Sequence, residues 1–249
     1  MIYDGAGLSS PSARKKVPAV RWCTEKILPS PHPKGWGWGG WTFPRAKNCS
    51  TVRNFCTSVR TGAALSSPSA TQKKTNHGYF NLAGHNSGSA MDQHILLFAH
   101  AYTPSNAEGI PLGITQSVER TPMDLRELIP IQTHIEDSFP QLVQAKGYDH
   151  NYVIDGSIGQ LRPAAMAMSD LTGISMRVDS TMPGIHFYTA NYVSVDHPGK
   201  GGCTYGPRHG FCLETQFYPD AIHHESFPSL ILEAGKVYNH STVFSFNNI

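Results

Sequence analysis

KVYNHSTVFSF, residues 236–246, decides the fold class of this chain. Tyr238, His240, Thr242, Phe244 and Phe246 recur at every second position, and side chains of an extended strand alternate between its two faces. A helix would scatter them around its circumference, so the run reads as a strand with one largely aromatic face turned inward. Aromatic and β-branched residues suit such a half-buried pleated surface.

The same texture extends back to Thr71 as short apolar or alternating runs bounded by turn residues. Further strands are expected in QHILLFAHAYTP (93–104), GYDHNYVI (147–154), LRPAAMAMSD (161–170), GISMRVDST (173–181), GIHFYTANYVSV (184–195) and GFCLETQFYP (210–219). MSDLTGISMRV reads as a hairpin turning at Asp170 to Gly173. TPMDLRELI (121–129) is the one expected short helix or turn, with Thr121 able to cap and Pro122 at the first helical position. With 23 Gly and 18 Pro in 249 residues and only 15% charged residues, the composition agrees with a turn-rich, all-β antiparallel sandwich.

The net charge of +2 hides an asymmetry. Residues 1–70 hold ten Lys or Arg against Asp4 and Glu25, a balance of +8, while residues 71–249 hold ten basic and sixteen acidic groups, a balance of −6. Trp22, Trp36, Trp38 and Trp41 all fall in the first segment, which also carries LSSPSA at 8–13, repeated at 65–70. We therefore expect a basic, poorly ordered extension over 1–70 and one domain over 71–249. The scattered basic residues do not form a nucleic-acid footprint. No secretory signal or membrane-length apolar run is present, which points to a cytoplasmic protein with no membrane partner. Cys23, Cys49, Cys56, Cys203 and Cys212 lack CxxC spacing and read as reduced thiols rather than a disulfide frame or zinc site.

Signatures of nucleotide binding, the GxSxG nucleophile and the HExxH metal helix are absent. His223 and His224 are adjacent, and on an extended segment they would point opposite ways, away from a shared metal. Glu214 lies among Phe211, Cys212, Leu213 and Phe217. Alternation alone favours the solvent face for it; the other reading is a partly dry site. Asp149 has the same ambiguity, and His77 sits between Asn76 and Gly78 ahead of Tyr79 and Phe80.

NHGYFNLAG, YTPSNAEGIPLG, GYDHNYV, PGIHFYTANY, GFCLETQFYPDA and FPSLILEAGKVY occur in this order from Asn76 to Tyr238. Through them the chain resembles the aldose 1-epimerase (galactose mutarotase) family. The resemblance implies an antiparallel β supersandwich and an isomerase that interconverts α and β anomers of free hexoses such as galactose and glucose, with no cofactor and no metal. It implies Glu214 as the base and His77 as the acid at the ring oxygen. Asp149, Asn76 and His186 are implied as substrate-binding residues, although the family usually has glutamine where His186 stands.

The resemblance covers only the later part of the family domain, so the sandwich is expected to be incomplete on its N-terminal side. In the family the missing portion contributes an Asn- and Arg-bearing sugar contact and a second pocket histidine, and nothing in residues 1–70 is expected to replace them. The alternatives are a catalytically impaired sugar-binding relative and a truncated product without activity.

Overall fold

The computed structural model describes residues 53–61, 75–196, 198–233 and 236–248. Their strands form two six-stranded antiparallel sheets. The first contains β1 (Arg53–Thr61), β3 (His94–Leu97), β6 (Ile129–Pro130), β8 (Arg162–Met168), β9 (Ile174–Ser180) and β12 (Tyr238–Asn248), in the spatial order β1-β12-β9-β8-β3-β6. The second contains β2 (Tyr79–Phe80), β4 (Ala101–Thr103), β5 (Gln116–Ser117), β7 (Asp149–Val153), β10 (Gly184–Tyr188) and β11 (Phe211–Gln216), in the order β2-β11-β10-β7-β4-β5.

The alternation that opens the sequence reading is observed. In β12, Thr242 and Phe244 are buried while Asn239 is exposed. Phe244 and Phe246 pack against Phe80 of the second sheet at 5.5 and 6.3 Å, and Phe80 in turn meets Phe211 of its own sheet at 6.3 Å. The hydroxyls of Thr242 and Thr215 are also hydrogen-bonded between sheets. The expected hairpin closes through Ser169 N–H to Ile174 O at 3.0 Å, with Gly173 at φ 68°, a left-handed conformation that glycine adopts without strain.

Two expectations change in detail. Run 93–104 is two strands in different sheets, because the chain breaks between them and His100 N–H turns to the Asp155 carboxylate at 3.1 Å. Run 184–195 stops as a strand at Tyr188, where Ala190 at φ 54° turns the chain away. Of the short helix or turn expected over 121–129, the structure shows the turn, closed by Asp124 N–H on Thr121 O at 3.0 Å, with Met123 and Leu125 both buried and Ile129 entering β6. The α-helix lies instead at α1 (Pro140–Ala145), begun by Pro140 and closed at Lys146 in the left-handed conformation.

β1 lies within the segment 1–70 and pairs with β12 from Arg53↔Phe246 to Thr61↔Tyr238. The remainder of that segment, including all four tryptophans, lies outside the described residues. Among the described residues no helix is long and apolar enough to cross a membrane.

Candidate active site

Strand register assembles the site on one face of the second sheet. Tyr79, Cys212, Tyr188 and Asp149 align across β2, β11, β10 and β7. Two residues along, Glu214, His186 and Asn151 form the next row. Because strand side chains alternate, these rows share a face, whereas Leu213, Phe187 and His150 align on the opposite, core-facing side. Tyr79 and Phe80 divide in the same way. The Tyr79 ring approaches His77 at 5.1 Å and Tyr188 at 6.3 Å, and Phe80 packs into the core.

His77 reaches this face from the loop leading into β2. Asn76 fixes that loop by imitating a neighbouring strand: its amide nitrogen donates to Leu213 O at 2.9 Å, and its amide oxygen accepts from Thr215 N–H at 3.3 Å. Thr215 Oγ1 also lies 3.3 Å from that amide oxygen. His77 Nε2 then lies 3.2 Å from Glu214 Oε1, with the His77 side chain half exposed and the Glu214 side chain 7% exposed. His77 Nδ1 is 3.5 Å from Cys212 Sγ. Burial, with Glu214 and Asp149 nearby, pushes the Cys212 thiol well up, so the thiol keeps its proton. Burial is also the main cause that raises the Tyr79 phenol.

Asp149 Oδ1 accepts from His186 Nε2 at 2.7 Å. The two are diagonal cross-strand neighbours, since Asp149 is opposite Tyr188 and His186 is two positions away. His150 shares neither contact, because it faces the core beside the Tyr102 ring at 6.1 Å. Burial holds its pKa down at about 4, from an ordinary 6.5. Its Nδ1 accepts from Asp149 N–H at 3.1 Å, which ties the backbone of the site to the core.

The structure thus gathers His77, Glu214, Asp149 and His186 on one face, with Asn76 turned onto β11 beside them. Glu214 does not sit on a solvent face: all six residues of β11 are buried, so both faces of that strand are covered and alternation cannot mark an exposed one. Sequence reasoning missed Asn151. It is 2% exposed and aligned with His186, and neither end of its amide has a hydrogen-bond partner among the described residues. The signal for it was the two-residue spacing from Asp149.

His223 and His224 differ from the extended reading, because a 3-10 turn over Ala221–His223 lets both rings contact the Asp220 carboxylate, His224 at 3.4 Å. A cleft of about 330 Å³ adjoins the site at Tyr79 and is lined also by His85, Val193, Pro198, Tyr205 and His209. Neither that cleft nor a larger polar one of about 580 Å³, at His100, Asp124, Arg126 and Asp155, is lined by any of the expected site residues.

A sequence model of the family described as Aldose 1-epimerase matches residues 63–245. The mouse protein named galactose mutarotase is 37% identical over 173 residues, which cover 70% of this chain and 49% of that protein. A crystal structure titled as galactose 1-epimerase from Lactobacillus acidophilus superposes with a TM-score of 0.65 at 20% identity, covering 78% of this chain and 53% of the other. An aldose epimerase homologue from C. elegans gives a TM-score of 0.61 at 24% identity, covering 70% of this chain and 51% of the other. These two structural likenesses establish the sandwich fold. The chain spans about half the length of the curated relatives it matches.

Proposed function

The chain belongs to the aldose 1-epimerase family, and from that premise we propose that it opens and recloses the ring of free hexoses such as galactose and glucose, interconverting their α and β anomers. The observation that carries this reading is the contact of His77 Nε2 and Glu214 Oε1 at 3.2 Å, with the imidazole half open to solvent. The anomeric hydroxyl and the ring oxygen share one carbon, so the base for one and the acid for the other must be near neighbours.

Glu214 removes the proton from the anomeric hydroxyl while protonated His77 gives its proton to the ring oxygen. The bond from the anomeric carbon to the ring oxygen breaks, leaving an aldehyde and a free hydroxyl. After rotation about the adjacent carbon–carbon bond, His77 takes back that hydroxyl proton and Glu214 returns its own to the aldehyde oxygen, which closes the other anomer. Both residues end as they began. Each proton transfer contributes roughly 10²–10⁴-fold.

Asp149 is a charged acceptor for sugar hydroxyls, the kind that makes strong directional hydrogen bonds. His186 orients that carboxylate from the adjacent strand. Asn151 offers a donor and an acceptor that are unpaired among the described residues, in the next row. Satisfying such buried groups is worth more than making the same contacts in water.

Polarimetry of freshly dissolved α-galactose tests the reading directly. The purified full chain should speed the approach to anomeric equilibrium, and Glu214→Gln should slow turnover by roughly 10²–10⁴-fold while sugar binding persists. Wild-type turnover in that variant would remove Glu214 from the base position. No acceleration by the wild-type chain, together with measurable galactose binding by calorimetry, would favour a sugar-binding relative.

A further inference from the structure

Cys212 takes no step in the acid–base reading, yet it lies against both residues that do. One ligand atom from each of His77, Cys212 and Glu214 lies within 4.8 Å of those of the other two. Cys212 is fully buried and Glu214 is 6% exposed, whereas His77 is half open to solvent. These are three different donors: an imidazole nitrogen, a sulfur and a carboxylate oxygen. The sulfur and the carboxylate are buried, and the imidazole beside them is open to solvent.

We infer that this triad is a binding site for a thiophilic divalent cation of the zinc class, and that occupancy blocks the enzyme. Metal bonds of about 2.0–2.3 Å at a tetrahedral centre separate ligand atoms by roughly 3.3–3.6 Å. With one atom from each residue the three donors lie within 4.8 Å of one another, and the close contacts of 3.2 Å to Glu214 and 3.5 Å to Cys212 are made by opposite nitrogens of the His77 ring. Rotation of the exposed imidazole would bring a single ring nitrogen to the metal. The fourth position opens toward solvent through His77, so water or a buffer ligand completes the tetrahedron.

The donor set selects the ion. Magnesium and calcium require oxygen ligands in larger number, while a thiolate, an imidazole and a carboxylate together suit zinc and its soft neighbours. Binding is an exchange in which the metal takes the sulfur lone pair and the thiol proton is released to solvent. A coordinating thiol is deprotonated outright even when burial otherwise keeps it neutral. The affinity should therefore fall as pH is lowered. The absence of CxxC spacing does not bear on this site, because His77 and Cys212 are separated by 135 positions and meet only through the pairing of β2 with β11.

Occupancy would tie up the acid and the base at once, so reversible inhibition rests on the acid–base reading given above, whereas binding does not. The two are measured separately. Cobalt(II), a spectroscopic stand-in for zinc, is titrated into the full chain under reducing conditions. One equivalent should give the near-ultraviolet charge-transfer band of a cobalt–thiolate bond, and added zinc should bleach it. Cys212→Ser should abolish the band, and His77→Ala should weaken binding at least ~10-fold, as expected for loss of a ligand. Because His77 is half exposed, His77→Ala keeps the test sound should Cys212→Ser fold poorly.

In the polarimetric assay, zinc should inhibit the wild-type chain and chelator should restore it. Absence of the band in the wild-type chain, or an undiminished band in Cys212→Ser, would overturn the site. A normal band without inhibition would keep the metal site and overturn its blocking effect.

Discussion

His150 and Asn151 are adjacent in sequence and serve opposite faces of β7, so each makes a different prediction. The folded chain keeps His150 neutral down to about pH 4, while the unfolded chain takes up a proton near the ordinary value of 6.5. Its contribution to stability is fully present above about pH 6.5 and is lost progressively as pH falls toward 4, a span worth ~3 kcal/mol. Urea unfolding at a series of pH values should show this slope in the wild-type chain and a shallower one in His150→Gln; equal slopes would count against a neutral core histidine. Asn151 lies buried in the row of Glu214 and His186, with both ends of its amide unpaired among the described residues. Asn151→Ala should weaken galactose binding roughly tenfold, from a lost hydrogen bond of ~1–1.5 kcal/mol, with little change in kcat. An unchanged KM would remove Asn151 from the sugar contacts.

At the scale of elements, the loop that carries His77 depends on Asn76 joined to β11 at Leu213 and Thr215. Asn76→Ala leaves those backbone groups unpaired and should cost about 1–3 kcal/mol of stability. It should lower kcat with KM little changed, because His77 loses its fixed position; a raised KM with kcat preserved would make Asn76 a direct sugar contact. Elements with a long alternating pattern, such as β12 and the β8–β9 hairpin, were legible in the sequence. β2 was not, since its two residues carry no period and become a strand only by pairing with Phe211 and Cys212. The helix α1 was not legible either, because at six residues it is too short to show a 3.6-residue pattern.

Across the whole molecule, the buried Arg162 ties the two sheets together. Its guanidinium donates to five carbonyls: Asp155 at 2.7 Å, Gln160 at 3.2 Å, Ser180 at 3.1 Å, Ile154 at 3.4 Å and Met182 at 2.9 Å. Ile154 and Asp155 follow β7 of the second sheet, while Ser180 ends β9 of the first. A lysine ammonium has three donors and no planar fork, so Arg162→Lys leaves carbonyls unpaired. It should lower the unfolding free energy by about 2–4 kcal/mol, read as a shift of the urea midpoint. A midpoint within error of wild type would show that the carbonyls find other partners.

The sequence by itself determined the antiparallel sheet class and pointed to His77, Glu214, Asp149 and His186, because alternation and short motifs are local properties of the chain. It did not determine that Glu214 is buried, since alternation assumes one wet face and β11 has none. Nor could it place Cys212 against His77, or Asn151 in one row with His186 and Glu214. Those neighbours depend on cross-strand register, and register is set when apolar faces such as that of Phe80, Phe211 and Phe244 close on one another. A slip of one residue would leave every local pattern intact and send each of these side chains to the opposite face of its sheet.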